Sequence, residues 1–105
     1  MTDLELIKAF AELEGVDLIT HRGEYYRLDL HGSLSINNVG YSKYNPITDL
    51  ALNCAARDKY GVEIDYTKFT AYVDINGKWA CVPFKSKEDV PRAVIECILK
   101  SEGKL

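Results

Sequence analysis

Hydrophobic positions recur along this chain with two periods, and each period marks an element. Leu6, Ile7, Phe10 and Leu13 fall at helical spacing. Thr2 stands three residues before Glu5, the spacing of a capping box, and Gly15 can adopt the left-handed conformation that ends a helix. Val16 to Thr20 predicts a short strand and Arg22-Gly23 a turn. From Glu24 to Leu30 the pattern alternates, with Tyr26, Leu28 and Leu30 on one face and Tyr25, Arg27 and Asp29 on the other. His31-Gly32 interrupts it, and Leu34 and Ile36 predict a weaker strand before Asn37-Asn38. Gly40 to Ile47 reads as an irregular, tyrosine-bearing loop, because Asn45-Pro46 disfavours helix at Asn45.

A second helix is predicted from Thr48, its N-cap, to Tyr60, with Gly61 ending it. Leu50, Ala51, Leu52, Cys54, Ala55 and Ala56 make it apolar over most of its circumference, which predicts a well-buried helix. Val62, Ile64 and Tyr66 alternate with Glu63 and Asp65, giving a short strand. Phe69 to Phe84 then reads as a hairpin closed by Asn76-Gly77, a pair suited to a turn with both central residues at positive φ. In that register Ile75 faces Lys78, Val73 faces Ala80, Ala71 faces Val82 and Phe69 faces Phe84. Phe69, Ala71, Val73, Ala80, Val82 and Phe84 form a core-like face; Thr70, Tyr72, Asp74, Trp79, Cys81 and Pro83 form a mixed one. Asp89 is placed to cap a last helix with Pro91 in its first turn, and Val90, Val94, Cys97 and Ile98 make its stripe. The whole predicts an α+β fold: an antiparallel sheet of four to six strands with three helices packed on it, an α/β/α sandwich. Three apolar stripes need more cover than one sheet face supplies, so a helix over Tyr72, Trp79 and Cys81 is expected, with Trp79 a core residue.

At 105 residues the chain suits one domain, residues 1–105. Its net charge of −3, with no Lys/Arg cluster, argues against direct nucleic-acid binding, which calls for basic excess. The three cysteines, Cys54, Cys81 and Cys97, have neither disulfide-framework nor zinc spacing and read as reduced, buried thiols of a cytoplasmic protein. The N-terminus lacks the basic and apolar regions of a signal peptide, and no apolar run approaches a membrane span, so no membrane association is expected.

Residues 41–101 resemble the small bacteriophage proteins of the phage ABA sandwich type, to which the NinX-like proteins are similar. The resemblance is carried by a Tyr/Pro-bearing loop leading to Thr48-Asp49 and by a small-residue helix. A short strand and a hairpin bearing Trp79 follow, and then the closing helix DVPRAVIECILK from Asp89 to Lys100. It implies an α/β sandwich in a phage- or prophage-encoded accessory protein and supplies no catalytic residues.

The chemistry-bearing residues are few. His21, His31 and Asp29 could flank a site but lack the convergent spacing of a metal centre. Asp29, His31, Asp74 and Cys81 match no nucleophile elbow, phosphate loop or paired-carboxylate motif, so no enzyme activity, cofactor or metal is expected, a small enzyme being the third alternative. The first reading is a protein that binds a host or phage protein, such as an inhibitor of a host defence system of the CRISPR kind. Tyr25, Tyr41 and Tyr44, the tyrosines least needed by the core, are its candidate contacts. The second is a small-ligand or nucleotide-sequestering protein, with Tyr72, Asp74 and Trp79 as its platform. The chain is expected to be a monomer or a homodimer.

Overall fold

The computed structural model describes all 105 residues. It shows an α+β fold of three α-helices and seven strands, and the strands form two antiparallel sheets rather than the single sheet expected. The chain divides into two compact units, Met1–Asn45 and Pro46–Leu105.

The first unit opens with α1 (Asp3–Glu14). The Thr2 hydroxyl accepts the Glu5 N–H while the Glu5 carboxylate takes the Thr2 N–H, so the capping box forms, and Gly15 closes the helix at φ 69°. Strands β1 (Leu18–His21), β2 (Glu24–Leu28), β3 (Leu34–Ile36) and β4 (Val39–Lys43) make a sheet in the order β1-β2-β4-β3. The segment expected to be an irregular loop from Gly40 is therefore a central strand up to Lys43. The reason lies in backbone packing. The Asp29 N–H donates to the Gly40 carbonyl, and a Cβ on Gly40 would lie 2.5 Å from the Asp29 oxygen. Gly32 folds equally close, since a Cβ there would meet the Tyr41 carbonyl oxygen at 2.0 Å. Two glycines thus let the β2–β3 turn lie on β4, a contact that no side-chain pattern announces.

The second unit begins at Pro46. Helix α2 (Leu50–Tyr60) is capped by Asp49, whose carboxylate accepts the N–H groups of Ala51 and Leu52; Thr48 is not the cap. The expectation of a well-buried α2 is also corrected. Leu50 is 74% exposed, Cys54 and Ala55 face solvent, and the buried side chains are Asn53 and Ala56. Asn53 points inward because its amide donates to two carbonyls, Pro46 at 2.8 Å and Pro91 at 2.9 Å. Strands β5 (Glu63–Asp65), β6 (Thr70–Ile75) and β7 (Lys78–Pro83) form a three-stranded sheet in chain order.

The β6–β7 hairpin has the expected register, Ala71 opposite Val82, Val73 opposite Ala80 and Ile75 opposite Lys78, around Asn76 at φ 52° and Gly77 at φ 82°. Helix α3 (Val90–Ser101) lies on its core face. Ala71, Val73, Ala80, Val82 and Phe84 are buried there with Val94, Ile95, Cys97 and Ile98 of the helix. Each of the larger apolar side chains contributes about 1.5–3 kcal/mol by leaving water. Phe69 departs from that face: it sits outside the strand at φ 51°, half exposed, with its ring edge-on to Phe84 at 5.9 Å. Asp89 precedes α3 but makes no cap bond to its backbone, bonding the Ser86 hydroxyl instead.

Helix α2 packs on α3, so the layers of this unit run sheet, α3, α2. Within this unit the helices lie on one face of the sheet and not on both, as the expected α/β/α sandwich would have them. Because α2 finds its cover on a helix, the second face of β5-β6-β7 is left uncovered, and Trp79 is 65% exposed rather than a core residue.

The outer face of the second sheet as candidate functional site

Pairing ranks the side chains of this outer face across the strands, with β5 reaching two of the three ranks. Glu63 stands opposite Tyr72, which stands opposite Cys81; Asp65 is opposite Thr70, which is opposite Pro83; Asp74 is opposite Trp79 at the turn end. Opposed side chains on one face lie close enough to act together. Tyr72, Asp74 and Trp79 are therefore brought together, and Glu63 and Asp65 join them. These two acids were legible as the polar side of a short strand. What the sequence did not disclose is that this strand pairs with β6 on the same face.

The Tyr72 hydroxyl donates to Glu63 Oε2 at 2.6 Å, which fixes the ring and holds the phenol pKa above its ordinary value, first through that bond and then through the carboxylate charge. Asp65 accepts the N–H groups of Thr67 and Lys68 at 2.9 and 3.1 Å. Those bonds, led by the Lys68 N–H, hold its carboxyl below the usual range. Asp74 makes no hydrogen bond and no ion pair, so its charge is presented to solvent.

Two open hollows border Tyr72 and Trp79. One, of about 350 Å³, is lined by Asp65, Lys68, Thr70 and Cys81 with the two rings. The other, of about 300 Å³, is lined by Gly61, Glu63, Val73 and Asp74 with the same rings. The second contains two carboxylates and no basic side chain.

Behind the face, α3 ties down β7. The Lys100 ammonium donates to the Cys81 carbonyl at 3.1 Å, and the Ser101 hydroxyl donates to the Lys78 carbonyl at 2.5 Å. The Cys97 thiol reaches the Ala80 and Ala71 carbonyls at 3.4 and 3.6 Å. Burial, with the nearby Cys81 adding to it and Lys100 opposing, pushes this thiol up to about 11, which leaves it protonated and inert at neutral pH.

The tyrosines expected as protein contacts do not form a surface. Tyr44 is 3% exposed, a core residue whose ring lies 5.6 Å from the Arg27 guanidinium. Burial pushes its phenol up to about 12, the Glu14 charge adding to the shift and Arg27 opposing it. Tyr41 lies opposite Leu28, three residues from Tyr25, so alternation directs Tyr25 and Tyr41 to opposite faces of their sheet. The histidines are equally separate in role. His21 meets the Tyr26 ring edge-on at 5.9 Å, while the His31 N–H closes a local turn on Asp29. No group of three or more His, Cys, Asp or Glu side chains converges to hold a metal ion, and no helix is long and apolar enough to cross a membrane. Asp29 and His31 lie in the first unit, Asp74 and Cys81 in the second.

Comparison of the chain with protein-family models, curated proteins and solved structures gave no match.

Proposed function

We propose that this is a small, non-enzymatic accessory protein that acts by binding another protein through the outer face of β5-β6-β7. One observation carries the reading: Trp79 projects from a sheet face without cover, beside Tyr72, on strands whose other face is locked to α3. Large aromatic side chains on a firm backbone supply contact area at little ordering cost and are favoured as interface anchors. The likeness of residues 41–101 to small phage proteins supports a phage- or prophage-encoded factor working in the host cytoplasm, with a host defence component of the CRISPR kind as the type of target.

The test is affinity capture from host lysate with the wild-type chain beside Trp79→Ala and Tyr72→Ala, all three checked for native folding. A stoichiometric partner retained by the wild type and lost by both variants is expected. Capture that is indifferent to both substitutions refutes the assignment of this face.

The hollow of about 350 Å³ favours a second reading, a stacked small ligand, since Lys68 and the Trp79 ring both line it. Nucleotides fit it less well. Their phosphates would meet Glu63, Asp65 and Asp74, with one lysine to offset them. Titration of Trp79 fluorescence with a nucleoside triphosphate decides: unchanged emission removes this reading.

A further inference from the structure

The geometry points to a cationic anchor on the partner: an arginine side chain that seats in the hollow lined by Glu63, Tyr72, Asp74 and Trp79. This rests on the protein-binding reading of the face and specifies what the partner must bring.

The hollow supplies what a guanidinium uses and nothing that repels it. Tyr72 and Trp79 offer aromatic faces, and Trp is the strongest of the aromatic side chains in attracting a cation. Glu63 on β5 stands opposite Tyr72 on β6, and Asp74 on β6 stands opposite Trp79 on β7, so a carboxylate accompanies each ring. Only one of the Glu63 oxygens is occupied, by the Tyr72 hydroxyl, and Asp74 has no partner at all. A planar fork of N–H donors can bond such carboxylates while its face stacks on indole.

None of the chain's own cations lines this hollow. Lys100 bonds the Cys81 carbonyl, and Lys68 borders the other hollow. A second copy of this chain is a poor occupant, because its matching face would bring Glu63, Asp65 and Asp74 against the same three acids. A neutral apolar segment would cover the rings but strand the unpaired Asp74 charge away from water.

The experiment uses the full chain, whose single tryptophan is Trp79, so its emission reports this site alone. The probes are a short synthetic peptide of alternating arginine and glycine and the same peptide with citrulline in place of arginine. The arginine peptide is expected to change Trp79 emission saturably, with affinity falling as salt is raised. The citrulline peptide should bind at least roughly tenfold more weakly, as for a lost charge-assisted pair. Asp74→Asn and Glu63→Gln should each weaken the arginine peptide about threefold to tenfold, while Asp58→Asn, an exposed acid of α2 outside the hollow, should not. Equal responses to both peptides, no response to either, or an Asp58→Asn loss matching that of Asp74→Asn overturns the inference. If capture of the cellular partner still depends on Trp79 in that case, the binding face stands and only its cationic anchor falls.

Discussion

Replacing Asn53 tests how the second unit is held together. Its side chain is 5% exposed, and its amide donates to the Pro46 carbonyl before α2 and to the Pro91 carbonyl in the first turn of α3. One side chain thus ties three segments. Asn53→Ala removes one buried and one partly buried hydrogen bond, worth about 1 kcal/mol each. The Pro91 carbonyl retains its helical partner, so the added desolvation cost falls mainly on Pro46. The sum is about 2–3 kcal/mol, which for a unit of this size lowers Tm by roughly 10–20 °C.

Asn53→Asp is the sharper perturbation. It is nearly isosteric, but its ionised carboxylate would face two carbonyl oxygens without a donor. Burial and that repulsion raise the folded-state pKa of the new group above its unfolded value. Its folded form therefore tolerates the neutral acid, and stability is lost as pH rises past the unfolded pKa of about 3.9. Relative to wild type measured at the same pH, the variant should be less stable than Asn53→Ala at pH 7 and should recover part of the deficit near pH 4. Thermal unfolding followed by circular dichroism at both pH values provides the comparison. A deficit for Asn53→Ala below about 1 kcal/mol, or one for Asn53→Asp that does not change with pH, refutes the reasoning.

Gly32→Ala and Gly40→Ala should each destabilise by about 2–3 kcal/mol in denaturant titration, because the added methyl meets backbone rather than a movable side chain. In native protein at pH 8, a thiol reagent should label exposed Cys54 first and leave Cys97 unlabelled until denaturant is added; prompt labelling of Cys97 contradicts its burial. On the alkaline side, Cys97 is raised from 9.0 to about 11 and Tyr44 from 10.0 to about 12, so the unfolded chain ionises first. The unfolding free energy in denaturant titration should then fall from pH 9 upward, by up to about 1.4 kcal/mol per pH unit per group, and Cys97→Val should flatten the part between pH 9 and 10.

The hairpin was legible because two independent signals agree on it: strict alternation fixes the faces, and Asn76-Gly77 fixes the turn that sets the register. Helix α1 was legible for the same reason, its stripe agreeing with the Thr2–Glu5 box and Gly15. Strand β4 was not, since Gly40-Tyr41-Ser42-Lys43 carries no alternation and is selected by the backbone of Asp29 lying on Gly40. The orientation of α2 was hidden by composition. Leu50 and Cys54 look like core, yet Asn53 takes the inward position because two carbonyls need its amide. The acidic half of the candidate site stayed hidden because the mate of β5 is chosen by long-range pairing, on which local pattern is silent.

The uncovered face follows from the same choice that hid α2. Counting apolar stripes predicts a helix on each side of the sheet, but α3 is buried on every side except the Arg92–Glu96–Lys100 stripe and packs against both the sheet and α2. No helix then remains in this unit for the outer face, and the residue at position 79 is released from any packing duty. An indole left largely in water adds apolar exposure and gains from the fold only its cross-strand pairing with Asp74. Its neighbours are fixed rather than loose: Tyr72 is held by Glu63, Asp65 by the turn amides, and β7 by Lys100 and Ser101. A platform ordered before its partner arrives loses little entropy on binding. Packing on α3 thus accounts for Ala71, Val73, Ala80 and Val82 on the core face of the hairpin, whereas no packing contact accounts for Trp79, and Tyr44 of the first unit is spent on its core.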